Sequence, residues 1–137
     1  MKRDVTVEWL LKNYRENKAE IQMLSYGLDL RAIQYDKDNV QTSNKSDLSD
    51  IVVVREKRLI ELMQYVSDAE ALLDSLEDRD RFIIESTFIK GKTHIKVASA
   101  LNLSSEDAVS KAKSRILKDL RIFYNKVKRY REEAKGA

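Results

Sequence analysis

The chain has 137 residues, of which 36% are charged, with three glycines, no proline and no cysteine. That profile fits one domain or two very small ones and excludes a collagen, a disulfide scaffold and a zinc ribbon, and the lack of cysteine agrees with a reducing compartment. The longest apolar run, Ile51-Val52-Val53-Val54, is far shorter than the ~18 residues of a membrane span, and Met1-Lys2-Arg3-Asp4 leads into charge instead of a signal-peptide core, so a cytoplasmic protein is expected. Without proline, and with so little glycine, hairpins and tight turns lose their usual punctuation, which favours an all-α fold. The net charge of +3 conceals an asymmetry: residues 1–77 hold 11 Lys and Arg against 15 Asp and Glu, a balance of −4, whereas residues 78–137 hold 15 against 8, a balance of +7. A basic half joined to an acidic one points to a polyanion partner for the former and another task for the latter.

From Val5 to Tyr35, Val7, Leu10, Leu11, Tyr14, Ile21, Leu24, Leu28 and Ala32 recur at spacings of three, four and seven and predict one long helix. Lys18 interrupts the stripe, Gly27 weakens the helix without ending it, and Thr6 with Trp9 three residues on makes a poor capping box. The stretch Asp36 to Asp50, DKDNVQTSNKSDLSD, is polar and predicts a loop. A second stripe, Ile51, Val54, Leu59, Leu62, Met63, Val66, Ala69, Leu72, Leu73 and Leu76, predicts another long helix from about Ser49 to Ser75, with Ser46, Ser49 and Asp50 as candidate N-caps. Neither stripe can bury its face alone, so residues 1–76 read as an intrachain helical hairpin or as a dimerisation arm, and periodicity leaves both open.

Residues 77–137 read as a second domain of shorter elements. Phe82, Ile83, Phe88 and Ile89 share a helix of about a dozen residues that stops near Gly91, which suits a left-handed C′ position. Thr93 can cap a short helix carrying Ile95, Val97, Ala98 and Leu101 and ending at Asn102, a residue that tolerates positive φ. Ser104 and Ser105, followed by Glu106 and Asp107, signal a further helix start, and Val109, Ala112, Ile116, Leu120, Phe123 and Val127 form its apolar face.

Two short helices, a turn of Leu-Asn-Leu-Ser and a basic last helix make a helix-turn-helix pattern. Ala98 leaves room for close helix packing, and Val97, Leu101 and Leu103 supply the wedge. The last helix would offer its N-terminal exposed positions, Ser105, Glu106, Ser110, Lys111 and Ser114 with Asp107 beside them, to the major groove of double-stranded DNA. Lys111, Lys113, Arg115, Lys118, Arg121, Lys126, Lys128, Arg129 and Arg131 oppose only Asp119 along that helix; Lys92, Thr93, Lys113, Arg115, Lys118, Lys126 and Arg129 are the candidate phosphate ligands.

The segment THIKVASALNLSSEDAVSKAKSRILKDLR, Thr93 to Arg121, resembles the promoter-reading C-terminal domain of sigma factors. The wider order of elements, with LEDRDRFIIESTFIKG from Leu76 preceding that segment, resembles the RinA, ArpU and LmaC group of phage late-transcription activators. The resemblance implies a non-enzymatic, sequence-specific activator of phage or prophage late genes that acts with host RNA polymerase. The motif's usual spacing from Ser104 would put a large apolar residue at Ala108, whereas here the series begins at Val109, one position later.

Other chemistry finds little support. His94 is the only histidine and, with no cysteine, forms no nucleophilic or metal constellation. Asp36, Asp38, Asp47 and Asp50 lack the ligand spacing, the glycine and the closing glutamate of a calcium loop, and no phosphate-cradling glycine loop or nucleophile elbow is present. Trp9, Tyr14, Tyr26 and Tyr35 lie at helical spacing and suit core or partner contacts better than base stacking. The expectation is thus an all-α protein without catalytic residues, metal or cofactor, with DNA, polymerase and a second copy as partners. A small terminase subunit marking viral DNA for packaging and a polymerase- or sigma-binding protein are the alternatives.

Overall fold

In a computed structural model of the chain, residues 5–37 and 45–136 are described, with side chains over 5–26 and 53–136. The fold is all-α: α1 (Val7–Lys12), α2 (Tyr14–Lys37), α3 (Lys45–Asp74), α4 (Asp78–Ile84) running into a π turn (Glu85–Ile89), α5 (His94–Ala100) and α6 (Glu106–Gly136). No helix among the described residues is long and apolar enough to cross a membrane.

The single N-terminal helix predicted from periodicity is broken at Asn13. Its backbone N–H and its side-chain Nδ2 both donate to the Trp9 carbonyl, at 3.0 and 2.9 Å, so a local side-chain bond competes with helix continuation. Thr6 does cap α1 despite the poor box, its Oγ1 accepting the Trp9 N–H at 3.2 Å. The loop predicted over 36–50 is shortened from both sides, because α2 runs to Lys37 and α3 starts at Lys45; residues 38–44 and the side chains of the four loop aspartates lie outside the described residues. Ser46, Ser49 and Asp50 therefore fall within α3 instead of capping it.

The chain forms two compact units, Met1–Tyr14 with Asp68–Ala137, and Arg15–Ser67. This differs from the division expected after residue 76: α1 and the last turns of α3 group with the C-terminal helices.

In the first unit α1 packs on α6 and on the π turn, and α4 and α5 pack on α6. Val7, Leu10 and Leu11, Leu72 and Leu73, Ile83 and Ile84, Val97 and Ala98, and Val109, Ile116, Leu117 and Leu120 are buried there, each large side chain contributing roughly 1.5–3 kcal/mol. Phe123, expected on the core face of α6, is exposed; Leu117 and Tyr124 are buried in its place. At 100° per residue the arc from Ile116 through Leu120 to Leu117 and Tyr124 is narrow, and Phe123 falls at its edge.

The same unit holds a buried polar cluster. Asp68, at the start of the α3 segment belonging to it, accepts two bonds from the Arg131 guanidinium at 2.9 and 2.8 Å and one from the Tyr124 hydroxyl at 3.0 Å. Burial first, then the Asp68 charge, pushes the Tyr124 phenol well above its ordinary pKa, and the hydrogen bond to Asp68 raises that of Arg131.

In the second unit Arg58 of α3 bonds Glu20 of α2 at 2.8 Å and Glu61 at 3.0 Å. If α2 and α3 ran parallel, residues 38–44 would have to bridge the summed helix lengths beyond that contact, roughly 45 Å at 1.5 Å per residue, more than the ~29 Å they can reach. The two helices are therefore antiparallel. Leu62 and Val66 are buried, whereas Val54 and Met63, expected on the same stripe, are exposed.

Candidate nucleic-acid interface

The site is built around the turn between α5 and α6. Thr93 caps α5, its Oγ1 accepting the Lys96 N–H at 3.3 Å. At the other end Asn102 takes φ 57°, the Leu103 N–H reaches the Ala98 carbonyl at 2.8 Å and the Asn102 N–H reaches the Ser99 carbonyl at 3.2 Å. Those two bonds make a Schellman turn, which ends α5 abruptly and redirects the chain within a few residues. Asparagine accepts the left-handed conformation at lower cost than a branched residue would. Ala98 and Val97 are buried beneath the turn, as the wedge requires.

Val109 is 0% exposed and Ala108 is half-buried, which sets the register of α6: the first anchoring side chain is residue 109. Ser105, Glu106, Asp107, Ser110, Lys111 and Ser114 are all exposed, so the turn brings every base-reading candidate to the first three turns of one helix. Their hydroxyl, carboxylate and ammonium groups offer donors and acceptors at a helix end able to enter a major groove.

The cations of α6 divide by what they touch. Arg121 pairs with Glu8, Arg131 with Asp68 and, at 3.3 Å, the well-exposed Arg115 with Asp80. Lys128 donates to the Val5 carbonyl at 3.0 Å, and the Lys113 ammonium lies 4.7 Å from the centroid of the Phe88 ring. Lys111, Lys118, Lys126 and Arg129 are exposed and have no ion pair or ring contact among the described residues. Of the nine charges read from the sequence, five therefore brace the fold, and the phosphate candidates Lys113 and Arg115 are among them.

Position divides the rest. Lys126 and Arg129 lie about 24 to 29 Å along α6 from Ser110 at 1.5 Å per residue, well beyond a major groove ~12 Å wide. Lys92 and Thr93, by contrast, sit at the start of α5, where Lys96 is also exposed. Lys96 was not singled out from the sequence; its place on the first turn behind Thr93 was the available signal. The internal counter-charges Glu8, Asp68 and Asp80 had no local signal, since their arginines lie 35 to 113 residues away in the chain.

His94 opens α5 and is half-buried, and no group of three or more His, Cys, Asp or Glu among the described residues is arranged to hold a metal ion. Trp9 and Tyr14 are half-buried, Tyr26 is exposed, and the side chain of Tyr35 lies outside the described residues.

No protein-family model, curated protein or solved structure matches the chain.

Proposed function

We propose that this protein is a sequence-specific, non-enzymatic DNA-binding activator of phage or prophage late genes, working with host RNA polymerase. The observation that carries the reading is the Schellman turn at Asn102, which ends α5 and presents the polar face of α6, Ser105 to Ser114, beside a buried Val109. Ser105, Glu106, Ser110, Lys111 and Ser114 would read base edges. Lys92, Lys96 and Lys118, with Thr93 beside them, would supply the nearest phosphate contacts, and the three ammonium groups would release counterions on binding. The similarity of Thr93 to Arg121 to the promoter-reading domain of sigma factors supports activation through polymerase.

Selection of bound duplexes from a random pool, followed by mapping of binding across the host and phage genomes, tests this. One enriched motif located at late-operon promoters is the expected result. Lys111→Ala should then change the preferred sequence, by about 1 to 3 kcal/mol at one position if the lysine contacts a base. Failure to shift any duplex at low salt overturns the proposal. A small terminase subunit is the second reading, favoured by the exposed Met23, Tyr26, Val53 and Ile60 of the Arg15–Ser67 unit, and enrichment at a packaging site would select it.

A further inference from the structure

Three arginines of α6 pair with carboxylates on other elements, and they use their guanidinium groups differently. Arg131 gives Nη1 and Nη2 to the two oxygens of Asp68, at 2.9 and 2.8 Å. Arg121 gives Nε and Nη2 to Glu8. Arg115 gives Nη2 alone, to Asp80 Oδ1 at 3.3 Å, and has no other hydrogen bond, ion pair or ring contact among the described residues. A guanidinium carries five N–H donors in a rigid planar fork, so Arg115 keeps most of its donors unused. Its side chain is also the most open of the three, 62% exposed against 53% for Arg121 and 43% for Arg131.

Asp80 is held where Arg115 is free. Its side chain is 22% exposed, and α4 packs on α6 with Ile83 and Ile84, three and four residues on, fully buried. The carboxylate is thus mounted on the same core that anchors α6.

Place decides what the free edge of Arg115 can meet. Arg115 stands one helical turn beyond Lys111 and next to Ser114, all three exposed. At 1.5 Å per residue it lies about 7.5 Å along α6 from Ser110, within a major groove ~12 Å wide, whereas Arg121 and Arg131 lie about 16 and 32 Å away. A phosphate accepts bonds from many directions, and a point charge such as Lys118 suffices for it. A guanine offers O6 and N7 side by side in one plane, which rewards a guanidinium whose orientation is already limited.

We infer that Arg115 reads a guanine, with Asp80 as its positioning residue: one nitrogen is tethered to Asp80 while the opposite edge donates two parallel bonds to O6 and N7. This rests on the DNA-binding reading and names a base that the site selects.

The test uses the full chain and the duplex selected from a random pool, together with copies of that duplex in which each G·C pair is replaced in turn. Arg115→Ala, Asp80→Ala, the two combined and Asp78→Ala are compared with the unmodified protein; the last removes one negative charge from an exposed residue of the same turn of α4. Arg115→Ala should erase the preference at one G·C pair, a loss of roughly 5- to 150-fold there, and keep the preference at the others. Asp80→Ala should lower the preference at that same pair by about two- to tenfold, the share that ordering a long side chain contributes, even though loss of a negative charge strengthens binding to duplex in general. The combined variant should discriminate no worse than Arg115→Ala, because Asp80 acts through Arg115, and Asp78→Ala should discriminate fully. Circular dichroism verifies that the helices persist in each variant.

A uniform loss on every duplex for Arg115→Ala makes Arg115 a phosphate ligand and overturns the inference. So does an Asp80→Ala protein that behaves as Asp78→Ala does, binding all duplexes more tightly with its preference intact. An unmodified protein that selects no motif overturns the DNA-binding reading and this inference with it, so the two failures are told apart.

Discussion

The α6 unit and the Arg15–Ser67 unit are both helical, yet they use their apolar residues in opposite ways. Around α6 the hydrophobic side chains converge: α1, the last turns of α3, α4 and α5 all contribute buried residues, and ion pairs from Arg121 and Arg131 fasten the rim. In the α2 and α3 pair they diverge, with Leu62 and Val66 inside and Met23, Tyr26, Val53 and Ile60 outside. A helix with apolar residues on one stripe builds a core within its own chain, while one with apolar residues on several sides needs more neighbours than a two-helix unit supplies. In the proposed function the basic α6 unit holds a rigid reading helix and the arm is left to meet other molecules.

The largest effect expected to sharpen this contrast is salt dependence. If six to eight phosphates are contacted, log K against log salt should fall with a slope of about −5 to −7, a loss of roughly a thousandfold to ten-thousandfold between 50 and 200 mM salt. Lys96→Ala with Lys118→Ala should flatten the slope by about 2, while Lys57→Glu in the arm leaves it unchanged. A slope that responds to Lys57 and ignores Lys118 would break the assignment of DNA contact to the α6 unit.

Next in size is the comparison of two buried leucines. Leu120→Ala, in the converging core, should cost about 2 to 5 kcal/mol of stability, with Leu62→Ala toward the low end because Val66 is the only other buried apolar side chain among the described residues of its unit. Urea midpoints at fixed protein concentration measure both. Equal costs would mean that the arm has a core of its own.

A smaller loss is expected at the polar cluster. Asp68→Ala deprives the Tyr124 hydroxyl of its partner and frees an Arg131 side chain that is 43% exposed and able to rehydrate, so about 1 to 3 kcal/mol is expected, well short of a buried unpaired charge. The Tyr124 pKa is raised in the folded state, so its contribution is fully present below the ordinary tyrosine value of about 10 and is lost as pH rises toward and through the folded value. Stability measured from pH 8 to 11 should fall at the alkaline end, and less steeply for Tyr124→Phe.

The smallest effect belongs to the turn. Asn102→Gly should change stability by only a few tenths of a kcal/mol, since glycine takes positive φ freely and removes no buried contact, whereas Asn102→Val should cost about 1 to 2 kcal/mol. Thermal midpoints of the two variants separate these outcomes.

Sequence periodicity by itself determined that the chain is helical, that the turn after α5 falls at Asn102 and that the exposed polar positions after Ser104 share a helix end, because helix spacing, caps and left-handed residues are local properties. The buried clamp of Asp68 on Tyr124 and Arg131, and the neutralisation of Arg121 by Glu8, join residues 56 to 113 apart. No local pattern encodes such pairs. Nor could periodicity tell which of Leu117 and Phe123 faces the core, since both lie near the edge of the α6 stripe and only the elements packed against it choose between them. Asn13 shows the same limit at short range: an apolar stripe that runs on for 30 residues does not reveal that one side-chain amide, bonded back to Trp9, divides the helix beneath it. Assignment of α1 to the C-terminal unit follows from that break, because it is tertiary packing on α6, and not adjacency in the chain, that decides where a six-residue helix is stable.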